Sequence, residues 1–392
     1  LDHDLAPGRY HVEWKTAGRD GHPVSGDFYF EIANPDLTPP LVVGEGSLSD
    51  PKMMPPMEMH HDTLSLPSSR SFNAESPAYA LIRFVQFVAL VILLGAFAFW
   101  HVVLRLLRRK DGDAPVLGRV RGRHERLAIA AAAVLLLFGV IRLVAQSIAM
   151  HGIDQTVFSP MLPMIVGTSW GIGWLLQMAG SLLVILGVRL ARRDEKRGWN
   201  VATVGAIAIA FSPALSGHAA SSPHFATLAV LSDGLHVMGA GGWLGSLFFV
   251  IAVGVPAALS LDSDRRSGAV ASLVNVFSPA ALMFAAVVAA TGVFAGWLHI
   301  GSIRGLFETT YGRTLIVKLG ILSLVIATGA HNWLRVKPTL GKTEGTTRLK
   351  KTASAEILIA IFVLAVTAVL VATPTAIDEE LMRPSASAPL SR

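Results

Sequence analysis

The chain has 392 residues, of which 52% are hydrophobic and only 15% charged, whereas soluble domains carry roughly a quarter charged residues. With a mean hydropathy of +0.53 and apolar runs long enough to cross a bilayer, this composition excludes an ordinary soluble globular protein. The absence of cysteine excludes disulfides, thiolate metal sites, cysteine nucleophiles and iron–sulfur clusters, which leaves His, Met, Asp, Glu and backbone for any metal.

In chain order, the first element is a long-looped β-hairpin. Arg9 to Lys15 alternates, with Tyr10, Val12 and Trp14 on one face, and Asp27 to Ile32 alternates again, with Phe28, Phe30 and Ile32 together. A polar, glycine-rich loop from Gly18 to Gly26 joins them. The chain starts at Leu1 with neither an initiator Met nor a signal peptide. Two strands alone cannot bury a core, so an upstream part of this domain is expected. Residues 34–77 lose all periodicity and read as a flexible extracytoplasmic linker rich in Pro, Ser and Gly. Within it, residues 53–61 hold four methionines and two histidines. Exposed methionine gains no burial and invites oxidation, so Met57, Met59, His60 and His61 are read as metal-related.

From Ala78 onward the fold class is an all-α polytopic membrane protein with eight transmembrane helices, near 78–104, 126–150, 167–188, 200–217, 226–254, 269–299, 313–334 and 354–374. The domain therefore runs over 78–376, followed by a tail at 377–392. Loops alternate in charge. Arg105, Arg108, Arg109, Lys110, Arg119, Arg121, Arg123 and Arg126 lie between spans one and two, and Arg189, Arg192, Arg193, Lys196 and Arg197 between spans three and four. Arg265 and Arg266 follow span five, and Arg335, Lys337, Lys342, Arg348, Lys350 and Lys351 follow span seven. Basic loops stay cytoplasmic, so both termini, the hairpin and the linker are expected outside, in a bacterial inner membrane. The net charge of +6 is thus a topology signal, and nucleic acid is not a partner.

Polar groups inside apolar spans are costly and default to function. Most cluster toward the outer side: His151, Met161, Met164, His218, Asp233, His236 and His299, with Lys318 in span seven. Asp233 and His236 are three apart and share a helical face with Trp243; His236 lies roughly 16 Å into its span. Histidine and methionine around an outward vestibule suit a soft or borderline metal, and thioether points to Cu(I). Each has a bland alternative: interfacial placement for His151, His218 and His299, and packing for Met161 and Met164. Arg142 and Lys318 either pair with a carboxylate such as Asp233 or snorkel outward. His331 reads as interfacial or as an exit ligand, and His101 and His124 receive no role. Ser216 and Ser278 lack a G-x-S-x-G context, which removes a hydrolase, and no nucleotide-binding motif supplies an ATPase.

These residues resemble the copper-resistance proteins CopC and CopD, fused as in YcnJ-like proteins. Leu5 to Trp14 followed by Asp20-Gly21-His22-Pro23-Val24-Ser25-Gly26 is similar to the last hairpin of the CopC β-sandwich, of which 1–33 would be a remnant. Ser216-Gly217-His218-Ala219 and Asp233 to His236 running into Gly242-Trp243-Leu244-Gly245 are similar to CopD, with a looser match from Tyr311 to Lys318 and at His331-Asn332. The resemblance implies Cu(II) binding at Asp20 and His22, and copper movement across the inner membrane, usually described as uptake. On this reading the hairpin and linker gather copper, as Cu(I) or Cu(II), and pass it to His151, His218 and His236, with His299 nearby. Asp233 orients His236 or relays a proton, and Lys318 supports it. The partners expected are the lipid bilayer, copper ions and periplasmic copper chaperones, with no enzymatic role. Two alternatives stand beside it: a b-type haem redox protein or copper reductase, since intramembrane histidines also hold haem, and a membrane anchor for an external copper chaperone.

Overall fold

The computed structural model describes residues 5–17, 23–32, 76–111, 116–151, 158–221 and 225–382. The turn carrying Asp20 and His22, the linker with Met57, Met59, His60 and His61, and the tail beyond 382 lie outside the described residues.

The N-terminal unit contains a two-stranded antiparallel sheet, β1 (Gly8–Ala17) and β2 (Pro23–Ile32). The alternation read in the sequence becomes cross-strand pairing. Tyr10 stacks on Phe30 with ring centroids 5.4 Å apart, and His11 meets Asp27 at 2.9 Å. Such pairs stabilise a hairpin by a few tenths of a kcal/mol, roughly 0.2–1 each.

The second unit holds eight helices long and apolar enough to cross a membrane: span one Pro77–Lys110, two Leu117–Met150, three Ser169–Leu190, four Glu195–Leu215, five Ala226–Leu259, six Ser263–Ile300, seven Thr310–Thr339 and eight Glu344–Leu370. The protein is a multi-pass membrane protein. Caps fix several starts. Pro77 opens span one, where Ser76 Oγ accepts from the Tyr79 amide. Thr168, Asp194 and Thr309 accept from the amides of Gly171, Arg197 and Gly312 at spans three, four and seven. Several helices outrun the limits expected from hydropathy, above all span eight, which begins at Glu344 rather than near 354, and span two, which begins at Leu117 rather than near 126. The added turns are charged and lie at the end of the bundle bearing the basic loops, here the basic end. Glu125, only 4% exposed, accepts from Arg121 at 2.9 Å and Arg192 at 3.2 Å. Arg119 reaches Ser260 Oγ at 3.0 Å. Hydropathy marks where hydrocarbon begins; the backbone stays helical beyond it wherever charges find partners.

Two cores share span one. One side of it packs with spans five, six and eight around Phe99, Phe249, Leu273 and Val363; the other packs with spans two, three and four around Leu93, Val184, Ile209 and Trp199. Close approach rests on glycine. Gly173, Gly180 and Gly187 recur every seven residues along span three and lie against Ser212, Gly205 and Gly198 of span four; a Cβ at Gly180 would sit 2.7 Å from the Gly205 carbonyl oxygen. Gly95 and Gly245 likewise bring the backbones of spans one and five together. Among the described residues, four segments are π-helical: Phe99–Leu104, Gly241–Gly245, Val250–Gly254 and Asn332–Val336. The prolines at 213 and 279 lie inside the helices of spans four and six. Span seven is the outlier in packing. Only 6% of its apolar window is buried, against 33–67% for the other seven.

Glycine at position 180 is therefore a stability determinant. Gly180→Val is expected to destabilise the purified protein by about 1–3 kcal/mol through overpacking, read as a lowered thermal midpoint in detergent. Gly320→Ala, where an added Cβ meets nothing within 4 Å, leaves the midpoint unchanged.

Candidate functional site

In hydrocarbon, hydroxyl groups satisfy themselves first. Ser216 Oγ donates to the Ser212 carbonyl at 3.0 Å and Ser278 Oγ to Val274 at 2.7 Å, so both are occupied within their own helices. Thr291 of span six follows the same rule, donating to the Val287 carbonyl at 2.6 Å. Its single hydrogen is thereby used, and its oxygen is left as an acceptor. His236 of span five meets that oxygen through Nδ1 at 2.9 Å. With that hydrogen directed to Val287, the imidazole supplies the proton through Nδ1. The neutral ring is thus held with Nδ1 as donor and Nε2 as the nitrogen with the lone pair. The ring lies over Gly292, where a Cβ would come 3.4 Å from Cε1.

This corrects one expectation. The orienting partner of His236 is Thr291, across the interface between spans five and six, and not Asp233. Asp233 sits three residues earlier on span five and faces a different neighbour. Lys318 of span seven is within electrostatic range of both Asp233 and His236, and Tyr311 is within range of Asp233. Asp233 and Lys318 offset each other's charge beside a neutral imidazole, so the surroundings of His236 stay close to neutral overall. Span seven packs chiefly against span eight. The polar groups of spans five, six and seven therefore line a sparsely packed seam.

His299 closes span six, its ring 6.3 Å from that of Tyr311. It lies eight residues beyond Thr291, or roughly 12 Å along the helix. His236 and His299 thus stand at different depths and do not share one ion. His151 ends the helix of span two and His218 opens a short helix, His218–Ser221; their side chains lie outside what the structure describes. Among the described residues, no three His, Cys, Asp or Glu side chains group closely enough to hold a metal ion. Met161 and Met164 pack with Leu143 and Trp170, which is the bland alternative read from sequence. Arg142 lies over the Trp170 ring at 5.3 Å, and Gln146 accepts from the Tyr79 hydroxyl at 2.6 Å. The haem alternative gains no support: among the described side chains, the remaining membrane histidines lie at other levels. His101 and His124 are at the basic end, bound to Thr203 Oγ1 at 3.0 Å and to the Ala96 carbonyl at 2.9 Å.

Residues missed in the sequence are Thr291, Tyr311 and Glu356. Glu356 of span eight is 4% exposed and accepts from Asn332 Nδ2 at 2.9 Å, with the Trp243 indole near it.

Thr291 sets the ring state of His236. In Thr291→Val the Oγ1 acceptor is gone, and ¹⁵N-histidine spectra are expected to show a second tautomer. Identical nitrogen shifts in the two proteins would remove Thr291 from this role.

Residues 1–33 match the CopC domain, 74–225 the copper resistance protein D-like N-terminal domain, and 271–370 copper resistance protein D. Over 383 residues the chain is 27% identical to the copper transport protein CutJ of Bacillus subtilis, which covers 96% of this chain. The chain spans 62% of that relative's length. It is 26% identical to copper resistance protein D of Pseudomonas syringae pv. tomato over 275 residues, 67% of this chain and 84% of that protein. No solved structure matches. With a CopC region followed in order by both CopD regions, the chain is similar to the CopC and CopD copper-resistance proteins and is a copper-related membrane protein.

Proposed function

We propose that the protein moves copper across the membrane, in the direction of uptake, with His236 as the ligand at the centre of the path. The observation that carries this reading is the ring state of His236. A transport ligand must present a lone pair without first losing a proton, and Thr291 holds Nδ1–H so that Nε2 remains a neutral donor to a soft or borderline cation. The neutral surroundings suit transient binding, because an anionic cage would retain the ion. Copper is the cargo here and no resident cofactor is required.

The remaining residues are assigned as successive stations. Asp20 and His22 of the hairpin and Met57, Met59, His60 and His61 of the linker capture copper outside. His151, His218 and His299 lie at or near the ends of their helices on the side opposite the basic end and lead toward His236. The separate depths of His299 and His236 favour a relay over a single shared site. Asp233 and Lys318 act as a compensating charge pair beside the path. The basic loops support an orientation with both termini extracytoplasmic. The relatives, one of them a copper transport protein, support copper movement for this chain.

His236→Ala is expected to abolish the copper accumulation that depends on expression of the full chain, measured as metal per cell by mass spectrometry. Unchanged accumulation at equal protein level would overturn this pathway. Thr291→Val, which leaves the imidazole but loosens its orientation, is expected to raise the copper concentration needed for half-maximal uptake by about 10–100-fold.

A further inference from the structure

Two carboxylates are buried near the basic end, and they are treated differently. Glu125 is met by the guanidinium groups of Arg121 and Arg192. Glu356 is buried to the same 4% exposure, accepts from a neutral group, the Asn332 amide, at 2.9 Å, and has the Trp243 indole near it. Among the described residues it has no ion pair. Both neighbours belong to π-helical turns, Asn332 to the one at Asn332–Val336 and Trp243 to the one at Gly241–Gly245. π-turns are frequent at functional sites, where the extra residue redirects a side chain. The glycine at 329 gives the carboxyl its room, since a Cβ there would lie 3.4 Å from Oε1.

Solvent reaches this region. A cavity of about 450 Å³ is lined by His331, Arg335, Val336, Arg348, Lys351 and Thr352. Thr352 is one helical turn before Glu356, and His331 adjoins Asn332. Of the titratable and charged groups on the helices around Glu356, span seven contributes His331 and Arg335, and span eight itself Arg348 and Lys351, all lining the vestibule, with Lys337 and Lys350 beside them in the chain. The π-helical half of span five, Gly241–Leu259, holds no titratable residue. Span one offers Tyr79 and Arg83 near its opposite end, His101 within its π-turn, and Arg105, Arg108, Arg109 and Lys110 beyond it; span six offers Asp264, Arg265 and Arg266 at its start and His299 at its far end. A single hard carboxylate ringed by N–H donors is a poor seat for a soft metal, because those hydrogens face any arriving cation. A proton fits: it binds one carboxyl oxygen while the other still accepts.

We propose that Glu356 is a proton-exchange site, reached from the basic end through this vestibule. An O–H bond forms at the carboxylate and breaks at a hydronium ion of the vestibule, and the reverse step returns the proton there, with no change of oxidation state. Its place in a transport cycle rests on the reading that the protein moves copper. Buried acids that gain and lose protons are how membrane transporters use a proton gradient.

Infrared difference spectra of the full chain in lipid test this directly. The wild type is expected to show a carboxyl C=O stretch that appears and disappears with pH and shifts in D₂O. The band is absent in Glu356→Gln and returns in Glu356→Asp. A band that neither titrates nor exchanges, or one that persists in Glu356→Gln, would overturn the proposal. Proteoliposomes loaded with a pH-sensitive dye and given Cu(I) supply the second readout, with copper-dependent proton movement falling at least about 10-fold in Glu356→Gln. If wild-type vesicles pass no copper, the transport reading fails, and the infrared result still decides the role of Glu356.

Discussion

Within hydrocarbon, a hydrogen-bonding side chain has only the protein to turn to, and the cost of leaving it unmet is large. That constraint organises this bundle. The serines and threonines of the spans settle it locally by donating to their own helix, as Ser216, Ser278 and Thr367 do. The groups too large for that solution reach across helices, and those crossings are where chemistry collects: His236 to Thr291, Gln146 to Tyr79, and Glu356 to Asn332. Thr291 serves both modes. Because its proton is spent on Val287, it can only accept, and that fixes the state of the imidazole beside it. One local hydrogen bond on span six thus decides which nitrogen on span five is open.

The division of labour between the two polar centres follows from the kind of partner each has. Near His236, an acid and a lysine on different spans offset each other around a neutral donor atom. Near Glu356, neutral donors surround a lone acid at the edge of a cationic vestibule. The first arrangement suits a soft cation in passage; the second suits a proton. They occupy different depths and different helix pairs, so they need not compete for the same space. The CopC-like hairpin lies in a unit of its own, built from strand pairing rather than helix packing.

Much of this was legible in the sequence, for definite reasons. Composition and the placement of arginine and lysine mark membrane spans because the bilayer imposes both, and the eight apolar runs of the sequence correspond to eight long apolar helices among the described residues. His236 stood out because an ionisable group eleven residues into an apolar run has few bland explanations. Thr291 did not, since threonines that bond to their own helix are common and nothing local says which one faces an imidazole. Glu356 carried a readable signal, a lone carboxylate in an apolar stretch. It was lost because hydropathy placed the start of span eight at 354, which made the residue look like a boundary group; the helix begins at Thr343, and Trp243 covers it. The orienting partner of His236 was misjudged for a related reason. A spacing of three residues puts two side chains on one face, but that face met two different neighbours, span six at His236 and span seven at Asp233.

The glycine ladder between spans three and four sets a mechanical contrast with span seven. Backbones that touch at Gly180 and Gly205 cannot slide without collision, so that pair acts as a stator. Span seven, with 6% of its apolar window covered, gives up little contact when it tilts. Yet it carries Lys318 on one stretch and Asn332 on another, so a single swing of that rod would disturb the imidazole centre and the buried acid together, linking two distant ions through one lever.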